Sequence, residues 1–210
     1  MITQPASSPA VFAAFDSDGH LWVSQGAPAN KIVRYTISDP IDMAAPVQDV
    51  VVSSPDLVNP QGIAFDAAHG DLWVACEGND SVVSFHRERL GAAYTGAADV
   101  ALTAKTGAGA AVAFSYTAPT GIAFDQAGNL WVGFQDHLIG FTPAQQAATA
   151  LVAGPIDLAI STGTGGFAFD ESGGLWISGG NPNFFRRLPK TALAASGTPT
   201  PDIVITSDSA

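Results

Sequence analysis

The 210-residue chain carries 19 acidic against 8 basic side chains, a formal charge of −11, and a surface of that sign repels phosphate backbones, so no nucleic-acid partner is expected. Hydrophobic residues make up 47% and charged residues only 13%, with 22 glycines and 14 prolines, which suits short buried strands and tight turns and argues against long amphipathic helices. No apolar run approaches the roughly 18 residues of a membrane helix, so a water-soluble chain without a membrane partner is expected, and Cys76, the single cysteine, has no partner for an internal disulfide.

The first element is Ala14-Phe15-Asp16, followed after a short polar connection by Leu21-Trp22-Val23. The phrase returns as Ala64-Phe65-Asp66 with Leu72-Trp73-Val74, Ala123-Phe124-Asp125 with Leu130-Trp131-Val132, and Ala168-Phe169-Asp170 with Leu175-Trp176-Ile177. All four tryptophans occupy this one position, and the aspartates recur at intervals of 50, 59 and 45 residues. Each phrase is read as a strand, a tight turn carrying Gly, Asn or Asp, and a second strand with Trp on one face and its neighbours on the other. A strand that is apolar on both faces is buried between sheets. Third strands follow at Lys31 to Ile37, Ser81 to His86, His137 to Phe141 and Asn183 to Leu188. Short helical turns are expected at Arg87 to Leu90, Pro143 to Gln146 and Pro189 to Leu193, the two prolines as first helical residues. Fourth strands close the units at Val47 to Val52, Asp99 to Thr103, Ile156 to Ile160 and Asp202 to Thr206. The basic runs His86-Arg87-Glu88-Arg89 and Arg186-Arg187 are read as solvated strand edges.

Four antiparallel strands repeated at this period describe β-propeller blades, here one all-β propeller domain over 1–210 with blades at about 9–54, 59–104, 118–161 and 163–207. The stretches Pro119-Thr120-Gly121-Ile122-Ala123-Phe124-Asp125, Gly128-Asn129-Leu130-Trp131-Val132 and Leu193 to Pro201 resemble bacterial NHL-type propeller repeats, in the wider group with the SMP-30/gluconolactonase and streptogramin-lyase propellers. The resemblance covers almost the whole chain and rests on residues that build the blade. Three arrangements stay open: a closed four-bladed propeller, half of an eight-bladed homodimer joined through open blade faces, and a fragment of a longer propeller. The amino terminus, Met1 to Pro5, shows no basic region followed by an apolar core, although the Lys-poor, Ala/Gly/Ser/Thr-rich composition also suits an exported chain.

The repeated Asp16, Asp66, Asp125 and Asp170, like Trp22, Trp73, Trp131 and Trp176, are assigned to structure: each aspartate sits where its oxygens can cap the turn's amides. Function is sought where the copies differ, in the loops after the tryptophan strands. Glu77, Asn79, Asp80, Gln135, Asp136, His137 and Asn181 are the candidates there for a polar small ligand, a peptide, a protein or a carbohydrate. No cofactor is required, and a divalent cation such as calcium would bind at the same acidic loops. The gluconolactonase resemblance implies a metal held by Glu, Asn and Asp, but the inner-strand starts offer no carboxylate; the lyase resemblance implies histidine bases, of which only His137 approaches that end. A non-catalytic binding or assembly scaffold is therefore the leading reading, with a metal-dependent lactonase, hydrolase or lyase as the alternative.

Overall fold

The structure, a computed structural model, describes residues 9–36, 47–103, 117–147, 156–160, 165–180 and 183–206. The chain divides into two compact units, Met1–Ala101 and Leu102–Ala210. In the first, β1 (Ala10–Phe15), β2 (Leu21–Gln25), β3 (Lys31–Thr36) and β4 (Val47–Ser53) pair antiparallel in chain order as sheet one. Sheet two begins with β5 (Pro60–Phe65), β6 (Leu72–Cys76) and β7 (Ser81–Phe85); β8 (Tyr94–Thr95) then adds to β4 in parallel, and β9 (Val100–Thr103) completes sheet two. Sheet three holds β10 (Ile122–Phe124), β11 (Leu130–Gly133), β12 (His137–Phe141) and β13 (Ile156–Ala159), and sheet four holds β14 (Phe167–Phe169), β15 (Leu175–Gly180), β16 (Asn183–Leu188) and β17 (Ile203–Thr206). The fold is thus all-β, four antiparallel sheets of propeller-blade type, as the repeat predicts. Among the described residues no helix is long and apolar enough to cross a membrane.

The repeated phrase makes the inner hairpin of every sheet, and its register explains its residues. Alanine faces tryptophan across the first strand pair each time: Ala14 and Trp22, Ala64 and Trp73, Ala123 and Trp131, Ala168 and Trp176. A small residue there leaves width for the indole beside it. On the other side the tryptophans meet Arg34, Ser84, Gly140 and Arg187. Gly19 and Gly128 sit in the hairpin turns at φ +84° and +79°, a backbone region that side chains disfavour.

The sheets within each unit stack through this hairpin. Trp22 is fully buried and meets Phe65 of the following sheet with ring centroids 5.7 Å apart, while Trp131, 1% exposed, meets Phe169 at 6.4 Å. Around the first pair Ile32, Val50 and Val52 of sheet one pack with Leu57, Leu72, Val74, Val83 and Phe85. Around the second, Leu138 and Leu158 pack with Leu175, Ile177 and Leu188. On the opposite face of sheet one, Val23, Val33 and Tyr35 are buried together with Leu21 against them. Cys76 is buried inside β6 without exposure, and burial pushes its thiol up to about 12.

In sheets two and four the connection between third and fourth strands does a second job. In sheet two it forms a 3-10 turn, Arg87–Arg89, buries Leu90, and sends β8 to seal the outer edge of β4. In sheet four it forms the 3-10 turn Lys190–Leu193, buries Leu193 against sheet three, and bridges Gly197 to Leu158 of β13 in parallel. The corresponding element in sheet three is the short helix α1 (Pro143–Gln146), with Pro143 at its start and a reciprocal cap between Thr142 and Gln145. Pro189 differs from expectation by one position: it is the residue before the turn, not the first one in it.

Candidate functional site

At the hairpin end of the sheets the repeated aspartates are spent on structure. Asp16 Oδ1 accepts from the amides of Asp18 and His20, at 3.0 and 2.9 Å, and its Oδ2 accepts from Trp22 Nε1 at 2.8 Å. Asp125 does the same with Ala127, Asn129 and Trp131, and Asp170 with Ser172, Gly174 and Trp176. One carboxylate therefore fixes both the turn and the indole. Burial alone would raise the Asp16 pKa, but hydrogen bonds from Trp22 and His20 outweigh it and hold the carboxyl below its ordinary range. Hydrogen bonding from Arg187, then Ser172, holds Asp170 lower still. The hairpin of sheet two is one residue longer, and Asp66 caps it through the amide of His69 at 2.6 Å.

Two groups at these turns, Asp16 with Asp18 and His20 and Asp66 with His69 and Asp71, hold their donor atoms close enough for a metal ion. Both groups follow from turn chemistry. Two of the oxygens in the first are already taken by Trp22 and backbone amides, and neither provides the six to eight oxygens that calcium prefers.

The opposite end differs from sheet to sheet. Glu77 leaves β6 in a 3-10 turn, Glu77–Asn79, and reaches the start of the innermost strand, where its Oε2 accepts from Asn59 Nδ2 at 2.8 Å and Gln61 Nε2 at 2.7 Å. The inner strands contribute no carboxylate of their own, as read from the sequence; the loop beside them supplies one. Asn59 is held in the left-handed region at φ +48°, donates its amide to Asn30 Oδ1 at 2.9 Å, and accepts from the Ala27 amide at 3.2 Å. The three interacting side chains are partly exposed. Uncharged Asn59 and Gln61 do not announce this group in the sequence; its one local signal is a left-handed-tolerant Asn directly before Pro60 at a strand start.

The remaining candidates do not converge on it. Asn79 lies in the same turn, exposed, with its amide on the Asp56 carbonyl at 3.2 Å and its Oδ1 accepting from Ser81 Oγ at 2.7 Å. Asp80 ends the turn at φ +54°. In sheet three, Gln135 and Asp136 are exposed at the tip of the β11–β12 connection, and His137 opens β12. His137 Nδ1 lies 2.7 Å from Asp157 on the outermost strand β13, and its Nε2 lies 3.9 Å from Asp136. That places the imidazole beside the outermost strand of its sheet. Asn181 lies outside the described residues. A metal of the Glu, Asn and Asp kind does not fit the Glu77 group: the Asn59 amide nitrogen already donates to Glu77, and its oxygen already accepts from Ala27.

No protein-family model matches the sequence, and no curated protein matches it. Solved structures do match in fold. The chain is similar to virginiamycin B lyase from Staphylococcus aureus at a TM-score of 0.61 and 17% identity, over 96% of this chain and 57% of that one. It is similar to a 6-phosphogluconolactonase-like protein from Bacteroides uniformis at 0.60 and 15%, over 97% and 56%, and to the hydrazine synthase of Kuenenia stuttgartiensis at 0.66 and 13%, over 98% and 52%. The chain thus spans little more than half the length of each. Three different named activities on one fold, at such identities, make the likeness one of propeller architecture.

Proposed function

We propose that the chain is a non-catalytic propeller-type scaffold whose polar end at sheet two binds a carbohydrate. The observation that carries this reading is the Glu77 carboxylate clamped by the Asn59 and Gln61 carboxamides at the start of β5. A carboxylate and planar amides in fixed orientation offer the donors and acceptors that sugar hydroxyls pair with, and part of the group reaches solvent. No base or nucleophile accompanies Glu77 in the hydrogen bonds that hold it, so binding without turnover is the chemistry this group supports.

Glycan-array screening of the full chain, followed by calorimetry on any hit, tests the reading. Glu77→Gln and Asn59→Ala should each weaken binding roughly tenfold or more, as loss of about 1.4 kcal/mol implies, while circular dichroism stays unchanged. Absence of binding to any glycan would overturn it. The second reading, a lyase or lactonase, is favoured by the contact between His137 and Asp157, which orients an imidazole as a general base requires. Turnover of a lactone or a cyclic ester that His137→Ala abolishes would replace the scaffold reading with this one.

A further inference from the structure

Two of the chain's four histidines, His69 and His86, line one open groove beside the hairpin turn of sheet two, together with Asp71 and Glu88. Of the four repeats, only the second is built this way. The residue directly before the second strand is His20, Asp71, Asn129 or Gly174, and the hairpin of sheet two alone is one residue longer, so that its turn carries both His69 and Asp71. The third strands face Leu21, Leu72, Leu130 and Leu175 with Tyr35, Phe85, Phe141 and Leu188, and the next residues are Thr36, His86, Thr142 and Pro189. Turn chemistry accounts for Asp66, His69 and Asp71 lying near one another. It does not account for a second imidazole arriving from the end of β7.

The spacing of these groups is that of ligands. The donor atoms of Asp66, His69 and Asp71 lie within 4.8 Å of one another. His69 Nδ1 is 3.4 Å from Asp66 Oδ1, and His86 Nε2 is 3.9 Å from Asp71 Oδ2. These gaps exceed the roughly 2.9 Å of a hydrogen bond and approach the roughly 3.4 Å that separates two ligands of a tetrahedral ion bound at about 2.1 Å. In the turn of sheet one, by contrast, His20 Nδ1 sits 2.9 Å from Asp16 Oδ2, and its nitrogen is already used. Outer contacts aim the set: the Arg87 amide donates to Asp71 Oδ1 at 2.8 Å, which leaves Oδ2 toward His86. Asp99 Oδ1 stands 3.8 Å from His86 Nδ1, where a carboxylate commonly backs a metal-binding imidazole. The Arg87 guanidinium also lines the groove, and its charge is directed to Asp18 at 3.2 Å. The two imidazoles are 76% and 43% exposed, so small side-chain rotations close the remaining gaps without moving the backbone.

We propose that His69, Asp71 and His86, with Asp66 beside His69, bind a divalent transition-metal ion of the zinc class. Two imidazoles select such an ion over calcium or magnesium, which take oxygen ligands. The ion joins the inner hairpin of sheet two to the end of its third strand. The site lies at the other end of that sheet from Glu77 and is independent of what Glu77 binds.

Calorimetry of the full chain with zinc chloride, after dialysis against a chelator, tests this. One ion per chain should bind in the micromolar range and raise the melting temperature, because it binds the folded arrangement. His69→Ala and His86→Ala should each weaken binding at least about tenfold, since loss of an outer partner alone costs about 10–100-fold. Asp71→Asn keeps an acceptor for the Arg87 amide and replaces either alanine variant should one fail to fold. His20→Ala should leave the affinity unchanged. Absence of binding at millimolar zinc overturns the proposal. So does calcium bound as tightly as zinc, and so does an affinity that His20→Ala lowers as much as His86→Ala, which would mark scattered surface histidines instead of one site.

Discussion

Gly140 owes its place to a single neighbour. A methyl group added there would stand 2.9 to 3.0 Å from three atoms of the Trp131 ring, which is 1% exposed and tied to Asp125 through its nitrogen. The indole cannot slide away without giving up that bond, so Gly140→Ala should cost about 1–3 kcal/mol of overpacking, read as a lower midpoint in urea with an unchanged slope. A neutral result would mean that the ring has room the geometry denies it. Cys76 allows a reactivity test at the same scale. With its thiol pushed up to about 12 by burial and no exposed surface, native protein should resist a disulfide reagent at neutral pH and label only after unfolding. Rapid labelling of folded protein would contradict the burial.

Among the elements, the connections between third and fourth strands in sheets two and four reach back to the preceding sheet. Leu193 is the anchor in the second unit: it is 7% exposed, packs among Leu158, Leu175 and Leu188, and precedes the Gly197 bridge to β13. Leu193→Ala should destabilise by about 2–4 kcal/mol through the cavity and raise amide exchange at Ala159, whose N–H bonds to Gly197. Stability loss without faster exchange there would show that the leucine fills space but does not hold the bridge. This role could not be read in advance. The helical turns at Pro143 and, displaced by one residue, at Pro189 are legible because proline acts locally, and the strands are legible because alternation and turn residues act locally too. The pairing of Tyr94–Thr95 with β4 joins residues roughly 40 apart with no side-chain pattern to announce it. Glu77 and His137 were recognisable as chemically capable residues, but their partners Asn59, Gln61 and Asp157 come from other strands, and only the fold decides which of them a given loop side chain reaches.

For the whole molecule, acid sensitivity is the property that both units share. Asp49 is held below its ordinary range by Arg34; Asp16 and Asp99 are held there by hydrogen bonds that overcome their burial; and Asp170 is held by Arg187. A carboxylate whose folded pKa lies below its unfolded value, about 3.9, contributes stability in full above that value and loses it as pH falls through the folded one. The melting temperature should therefore hold steady from about pH 8 to about pH 5 and fall increasingly below about pH 4. Net charge approaches zero near pH 4.4, where self-repulsion is weakest and association strongest, so the scan belongs at low protein concentration. The sign can be checked within one site. Asp170→Asn removes the carboxylate bound to Arg187 and lowers the neutral-pH plateau, but it leaves that position nothing to protonate, so the fall in acid should be shallower than in the parent. A parallel fall in both proteins would show that Asp170 is no part of the acid transition and would shift the cause to the remaining three carboxylates.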